Sequence, residues 1–388
     1  MHLLPEVRAC AIIFTHEENK WYRSNTSLEP MKDMRALHQL AIERPLTDLG
    51  IYLTSYCNLA CKMCSRWKER ERGVSYDRVL SLLEEARSLG ATGFHPFGAE
   101  IFTREDTLDI LSYAENIGFR KINVTSNGNL LLDKQRIERL ATLRTLCLSI
   151  SLDGPREIHD GLRGRGVYDK AVEALRELKK RGVITSIASI IMRQTLDRLT
   201  EIVDLAAYLG IRAISMQPYQ REIAGLNNDH SLFEFSPEEE ITVKEKIKNL
   251  MRYATSKKIR MYTANIMDLV PPYLTRGINL TPWSKGNTRW APSRGCFVPS
   301  RLLLVDTSGE SYPCFRMLRM RSMGNVHEQS LDKIWHNDVQ RELTLLALNR
   351  ECPGCLASCS DIASYDASMK GGRVVKLLRR AVKRFVCA

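Results

Sequence analysis

From residue 50 onward the chain alternates between two hydrophobic rhythms. Six short runs, GIYLTSYC, ATGFHPFG, KINVTSNG, LCLSISLDG, ITSIASIIM and IRAISMQPY, are rich in β-branched and aromatic residues and read as strands. Between them lie longer segments with apolar residues three or four apart. In SYDRVLSLLEEARSLG these fall at 79, 82, 83, 86 and 89, and Gly90 closes the segment. LDILSYAENIG, QRIERLATL, YDKAVEALRELKKRG and LTEIVDLAAYLG repeat the helical period, with Gly118, Gly182 and Gly210 as further stops. Strict alternation with helix-length connectors implies parallel strands joined by βαβ crossovers. Six units fall short of an eight-fold barrel, so the expected fold is α/β, a partial (β/α)6 TIM-like barrel. Such sheets gather their chemistry at the carboxyl ends of the strands.

The rest of the chain divides around this core. Residues 1–45 are mixed and aperiodic, an N-terminal extension before a barrel at 46–225. Residues 226–290 read as a helical and loop linker, its helix starting at Ser236-Pro237. Residues 291–362 form a small cysteine-bearing module, whose segment RLLLVDTSGESYPC predicts a hairpin turning at Thr307-Ser308-Gly309. Residues 363–388 form a basic tail.

Composition narrows the class without naming a chemistry. With 388 residues, 44% apolar and 26% charged, the chain can bury its own core, which excludes chain-wide disorder, collagen and coiled coil. It has no apolar run of about 18 residues, and charges break its N-terminal apolar stretch, so a cytoplasmic protein is expected. The 11 cysteines are an odd number in a chain too large to need a disulfide scaffold, and eight of them fall between 57 and 64 or between 296 and 359.

The first group, Cys57-Asn-Leu-Ala-Cys61-Lys-Met-Cys64, directly follows the first strand. Three thiolates therefore meet at the active edge of the sheet. A closed structural site wants four ligands, so three leave a coordination position for something exogenous. Zinc with a distant fourth ligand is the alternative, because thiolates suit zinc and iron–sulfur clusters alike.

CNLACKMC resembles the C-x3-C-x2-C segment of the radical S-adenosylmethionine (SAM) superfamily, in particular its branch with a C-terminal SPASM or twitch domain. The resemblance implies that Cys57, Cys61 and Cys64 hold a catalytic [4Fe–4S] cluster whose open iron binds SAM. It further implies reductive cleavage of SAM to a 5′-deoxyadenosyl radical that takes hydrogen from substrate. Phe97-Gly98-Ala99-Glu100-Ile101 resembles the family's Gly-Gly-Glu-Pro motif, with Ala99 and Ile101 departing from it. Thr125-Ser126-Asn127-Gly128 is similar to the turn after the third strand, and Ser149-Ile-Ser151-Leu-Asp153-Gly154 to the fourth-strand motif. His159-Asp160-Gly161-Leu162-Arg163-Gly164 resembles the family's H-D-x-x-R-G pattern. The implied SAM contacts are Gly98, Glu100, Ser126, Asn127, Ser149, Ser151, Asp153 and Arg163. Met63 stands where many members carry an aromatic residue.

In the second group, Cys296, Gly309 and Cys314 give C-x12-G-x4-C, which resembles the opening of the SPASM and twitch signature. Cys352, Cys355 and Cys359 follow, and with distant Cys387 the candidates number six, too few for two four-cysteine clusters. One auxiliary [4Fe–4S] cluster on Cys296, Cys314, Cys352 and Cys355 is expected, with Cys359 as an alternative ligand or neighbour. A zinc ribbon is the competing reading. Phe315 follows Tyr312-Pro313-Cys314 where sulfatase-maturing relatives place an acid.

The formal charge of +12 is concentrated at the end of the chain. Lys370, Arg373, Lys376, Arg379, Arg380, Lys383 and Arg384 stand without an acid among apolar residues of helical period. Such a helix either lies on an anionic membrane face or docks on the protein with its cations solvated. The remainder shows no RNA-binding module, which disfavours nucleic acid. The expected partners are a flavodoxin or ferredoxin as electron donor and a substrate. Candidate reactions are oxidation of a small-molecule alcohol or sugar, and maturation of a peptide, cofactor or lipid-linked natural product. The short N-terminal extension weighs against a separate peptide-recognition domain. The reading from another class is a non-catalytic zinc-binding scaffold.

Overall fold

A computed structural model describes residues 44–220, 230–262, 267, 270–276, 298–318 and 321–349. Six parallel strands form its core: β1 (Asp48–Thr54), β2 (Gly93–Gly98), β3 (Lys121–Ser126), β4 (Leu146–Ser151), β5 (Ile184–Ile191) and β6 (Ala213–Pro218). The connecting helices are α1 (Tyr76–Ser88), α2 (Thr107–Asn116), α3 (Lys134–Thr142), α4 (Arg156–Arg163), α5 (Val167–Lys180) and α6 (Leu199–Tyr208). Gly90 and Gly118 adopt φ of +102° and +98°, a region that strains side chains, and so end their helices where the pattern places the stops.

The sheet continues past these six strands. After α7 (Glu240–Ser256), the short strand β7 (Arg260–Met261) adds in parallel to β6, so the expected linker region contributes to the barrel's own sheet. At the other edge β8 (Leu302–Val305) pairs in parallel with β1, Asp48 opposite Leu302 and Ile51 opposite Val305. The hairpin turns as predicted, β9 (Glu310–Tyr312) running antiparallel to β8, and β10 (Gly324–Asn325) completes the order β10-β9-β8-β1-β2-β3-β4-β5-β6-β7. The cysteine-bearing module therefore shares the barrel's hydrogen-bonded sheet. Arg78 on α1 donates to the Val326 carbonyl at 2.9 Å, and Leu331 N donates to Glu85 at 2.6 Å, closing the junction from the helix side.

Alternation sorts the strand residues into two sets. Leu49, Ile51, Leu53, Ile122, Leu148, Ile150 and Ile187 are fully buried and share one core with Val79, Leu82 and Leu83 of α1. The inner set includes small and polar residues, Asn123, Thr125, Ser149, Ser186, Ser215 and Gln217, of which only Ser186 is buried, beside the larger Tyr52, Phe97, Ile184 and Ile190. A complete barrel fills its interior with branched apolar side chains. Here the inner face keeps room and hydrogen-bonding groups for a ligand.

At the amino end of the strands the inner face is closed by a polar plug. His95 Nε2 lies 2.8 Å from Asp48 Oδ1, and Asn123 Nδ2 lies 3.4 Å from His95 Nδ1. Gly93 makes this possible, since a Cβ there would sit 2.2 Å from Asp48 Oδ1. Burial alone would raise the Asp48 pKa, but the hydrogen bond and charge of His95 hold it well below the usual carboxylate range. A depressed pKa contributes stability above the unfolded value of about 3.9, and that contribution is lost as pH falls through the folded value. Asp48→Asn is expected to cost about 1.5–3 kcal/mol at neutral pH. The gap between the two urea curves should narrow as pH drops below about 4; a gap of constant size would assign the loss to packing.

Candidate active site

The chain leaves β1 into a loop pinned from several sides. Ser55 N donates to the Glu71 carbonyl at 2.9 Å, and Glu100 N to the Tyr56 carbonyl at 3.0 Å. Lys62 N donates to the Leu162 carbonyl at 2.9 Å, and Trp67 Nε1 to the Cys64 carbonyl at 2.9 Å. These bonds hold Cys57, Cys61 and Cys64 as free thiols on one loop at the carboxyl edge, Cys61 buried and the other two half-buried. Burial pushes the Cys57 thiol up to about 11, and burial also raises Cys61, against the favourable charge of Arg163. The charges of Cys61 and Cys64 both act on Cys57, so the three sulfurs share one electrostatic environment. Met63, at the aromatic position of the family pattern, is buried in the main core.

Gly98 ends β2, and its backbone passes so close to β1 that a Cβ would lie 2.7 Å from the Thr54 carbonyl oxygen. Gly98→Ala is expected to cost about 1–3 kcal/mol by forcing the two strand ends apart, read as a lower urea midpoint; an unchanged midpoint would mean that the ends yield freely. Two residues on, Glu100 is buried and committed to the protein. Its carboxylate accepts from Ser126 Oγ at 3.0 Å, Asn127 N at 2.7 Å and Phe102 N at 3.3 Å. Burial raises its pKa, against these hydrogen bonds. Glu100 thus clamps the end of β2 to the turn after β3. That clamp aims Asn127, whose Nδ2 donates to Asn58 Oδ1 at 2.8 Å and lies 3.9 Å from Cys57 Sγ. Asn58, which the motif reading passed over, is the link between the cysteine loop and Asn127.

A second group forms around Cys61. Asp153 is fully buried; one oxygen accepts from Arg163 Nε at 2.6 Å and the other from Ile190 N at 2.9 Å. Burial opposes the Arg163 charge, yet Asp153 and Cys61 raise its pKa above the ordinary arginine value. Asp153 engages Arg163 through Nε, which leaves the terminal nitrogens as donors beside the cysteines. Asp153 N donates to His159 Nδ1 at 3.1 Å, which puts the ring proton on Nε2. Burial, followed by the Arg163 charge, lowers His159 to about 4, so the ring is neutral at physiological pH and its edge meets Tyr168.

Ser149 and Ser151 lie on the inner face of β4. Ser149 Oγ is 2.6 Å from Ser186 Oγ on β5, a partner that the alternation of ITSIASII would have indicated. A small cleft opens between the cysteine loop and the hairpin module, lined in part by Tyr52, Arg66, Glu69, Gly98, Asp306 and Thr307. Motif reading singled out Gly98 alone among these, because β8 comes from sequence far removed from β1. Phe315 fills space at this junction, its ring centroid 4.7 Å from that of Phe97 with the two planes nearly perpendicular. Cys314 lies half-buried just after β9. Cys296, Cys352, Cys355 and Cys359 lie outside the described residues.

The donor set suits the cofactors that the motifs imply. Three cysteines outside any disulfide share the loop, a guanidinium with donors to spare stands beside them, and hydroxyls line the adjoining inner face. Among the described residues no three His, Cys, Asp or Glu side chains surround a point tightly enough for one metal ion.

Comparison with known proteins agrees. A family model described as the radical SAM superfamily matches residues 51–206, and one described as an iron–sulfur cluster-binding domain, SPASM, matches residues 296–360. The chain is similar to the mycofactocin maturase MftC of Mycolicibacterium smegmatis, 25% identical over 366 residues, covering 90% of this chain and 84% of the relative. It is also 25% identical to the AdoMet-dependent heme synthase of Methanosarcina barkeri, over 79% of this chain and 89% of that one. Streptococcus suis SuiB bound to S-adenosylmethionine shares the fold with a TM-score of 0.63 at 17% identity, over 89% of this chain and 80% of SuiB. Native anSMEcpe with AdoMet and the Cp18Cys peptide gives 0.60 at 16%, over 87% of this chain and all of that one. The cysteine loop at the head of a parallel barrel and the cluster-binding module continuous with its sheet place this chain in the radical SAM superfamily, as a member with a SPASM domain and hence a SAM-binding [4Fe–4S] cluster and auxiliary iron–sulfur chemistry.

Proposed function

We propose that the protein is a maturase that takes a hydrogen atom from a peptide or peptide-derived substrate held over the inner face of the barrel. The observation that carries this reading is end-to-end similarity to a mycofactocin maturase, spanning both the barrel and the cysteine-bearing module. Two fold neighbours solved with peptides, SuiB with its precursor peptide SuiA and anSMEcpe with Cp18Cys, add support. The open inner face, polar through Ser149, Ser215 and Gln217, offers the space such a substrate requires.

When bound, the cluster and SAM together supply the 5′-deoxyadenosyl radical. The chain's own residues would position and shield. Cys57, Cys61 and Cys64 hold the cluster. Arg163, oriented by Asp153, offers its terminal nitrogens to the SAM carboxylate. The backbone at Gly98 and Ala99 approaches the SAM ammonium, with Glu100 and Ser126 fixing that edge. Ser149 and Ser151 offer hydroxyls to the ribose, and Asn127 braces the loop at Cys57. On the module side Cys314 contributes to one auxiliary cluster with Cys296, Cys352 and Cys355, or with Cys359 in place of one of these. Phe315 packs where a neighbouring acid would stand, so deprotonation falls to another group.

The test is anaerobic reconstitution followed by iron and sulfide counting, then incubation with SAM, reductant and candidate precursor peptides. 5′-Deoxyadenosine with a mass change in a peptide supports the reading. 5′-Deoxyadenosine produced only with a small alcohol or tetrapyrrole would replace the substrate class, and zinc without iron would reject the reading. No helix among the described residues is long and apolar enough to cross a membrane. Residues 370–388 are proposed to give peripheral attachment to an anionic membrane face. Deleting them is expected to abolish sedimentation with phosphatidylserine liposomes; undiminished binding would remove that role.

A further inference from the structure

We propose that residues 68–72, through Lys68, Arg70 and Arg72, form the docking platform for an acidic electron-carrier protein of the flavodoxin or ferredoxin class. The inference rests on the radical SAM reading and assigns a surface to it. Three observations carry it.

The first is charge. All three side chains are exposed. Among the described residues none of them joins an ion pair, whereas nearby cations do: Arg66 to Glu69, Arg104 to Asp106, Arg163 to Asp153. Of the segment's own acids, Glu69 pairs with Arg66 and Glu71 accepts from the Thr307 hydroxyl across the module junction, so residues 66–72 keep a net charge of +2 from four cations and two acids. Lys68 lies over the Trp67 ring, its ammonium 5.4 Å from the centroid, a contact that leaves its donors outward. Three cations in five residues therefore present their charge to solvent. Such a patch steers an acidic partner and fixes its orientation.

The second is rigidity. The Glu71 carbonyl accepts from Ser55 N at 2.9 Å and Thr54 Oγ1 at 3.1 Å, and Glu71 N donates to Ser55 Oγ at 2.5 Å. Arg70 is held at φ +51°, in the left-handed region. Gly73 follows at φ +78°, where a Cβ would lie 2.3 Å from the Leu53 carbonyl oxygen, so this crossing over β1 admits no side chain. A platform fixed before binding costs less to order on docking.

The third is position. Trp67 Nε1 bonds the Cys64 carbonyl at 2.9 Å, which joins the cationic segment to a cluster ligand through one side chain. Exposed Lys62 lies on the same loop. A carrier seated on the three cations stands beside the cysteine loop, next to the cleft that Arg66 and Glu69 line. The step it serves moves one electron: the carrier is oxidised by one, the cluster is reduced by one, and no bond is made or broken.

The experiment measures binding and turnover separately. Reconstituted holoenzyme, wild type and Lys68→Glu/Arg70→Glu/Arg72→Glu, is titrated with a flavodoxin and, in a parallel arm, a ferredoxin, each at low and high salt. Wild type is expected to bind at least one carrier with an affinity that falls as salt rises. The triple variant should bind it at least about tenfold more weakly, with a flatter salt dependence. Dithionite-driven 5′-deoxyadenosine formation should be equal in both proteins while carrier-driven formation falls in the variant. The milder Lys68→Gln/Arg70→Gln/Arg72→Gln protein should fall between them. Unchanged carrier affinity and salt dependence in both variants overturns the platform. Failure of dithionite-driven cleavage in wild type would instead strike the radical SAM reading beneath it.

Discussion

Cys57→Ala, Cys61→Ala and Cys64→Ala are each expected to remove about four iron atoms per chain, because each corner of the cluster depends on its own thiolate. Iron and sulfide belonging to the auxiliary site should remain, since Cys314 stands on a separate element after β9. 5′-Deoxyadenosine formation from SAM should fall by a factor on the order of 10³ or more, the scale seen when one member of a cooperating catalytic group is lost. Iron analysis and chromatography of the SAM products check both parts. Full retention of iron in all three variants would show that this loop is not the cluster site. Loss of every iron atom would couple the two sites through folding. Cys61 is the most buried of the three thiols, so Cys61→Ala should also be the least stable protein.

Asp153→Ala is expected to be the most destabilising single change around the site. It leaves Arg163, whose side chain is 11% exposed, charged and without its carboxylate, and it strips the acceptor from Ile190 N. Breaking one side of a buried pair costs about 3–5 kcal/mol. The urea midpoint should fall accordingly, and Asp153→Asn, which still accepts from Ile190 N, should recover part of the loss. Arg163→Met removes the charge and leaves Asp153 a backbone donor, so it should unfold less readily than Asp153→Ala. SAM affinity by equilibrium dialysis separates the roles. Arg163→Met should weaken SAM binding well beyond its effect on stability. Equal SAM binding in Arg163→Met and wild type would reduce the pair to a structural tie.

His159 makes the same argument from the other side. Its Nδ1 takes the Asp153 amide, and its Nε2 has no hydrogen-bond partner among the described residues, an arrangement that a protein maintains only where the surrounding geometry demands it. Like Glu100, it was first legible as one letter of a motif. The structure shows each holding a neighbour in place: Glu100 fixes Ser126 and Asn127, and His159 fixes the backbone of Asp153. A motif records which residues are present and leaves open whether a carboxylate faces ligand or protein. That depends on donors arriving from other strands.

The amino-acid sequence by itself determined the parallel core, the placement of the cysteine loop after β1 and the turn between β8 and β9. Each rests on short-range physics: hydrophobic period, glycine stops and the connector length that a crossover requires. Thiolate spacing along one loop is a local property too, but by itself it left zinc open, and the cofactor class came from the resemblance of the surrounding motifs. Tertiary structure decided everything that joins distant segments. β8 lies beside β1 although some 250 residues separate them, and this pairing makes the module an extension of the barrel, with the cleft and the Phe97–Phe315 contact between them. β7 joins β6 on only two residues, too few to carry a period. The commitments of Glu100, Asp153 and Asn127, and the three cations of residues 68–72 that join no ion pair among the described residues, follow from which partners the folded chain delivers. Hydrogen bonds and ion pairs act over a few ångströms of space, and only the fold sets those distances.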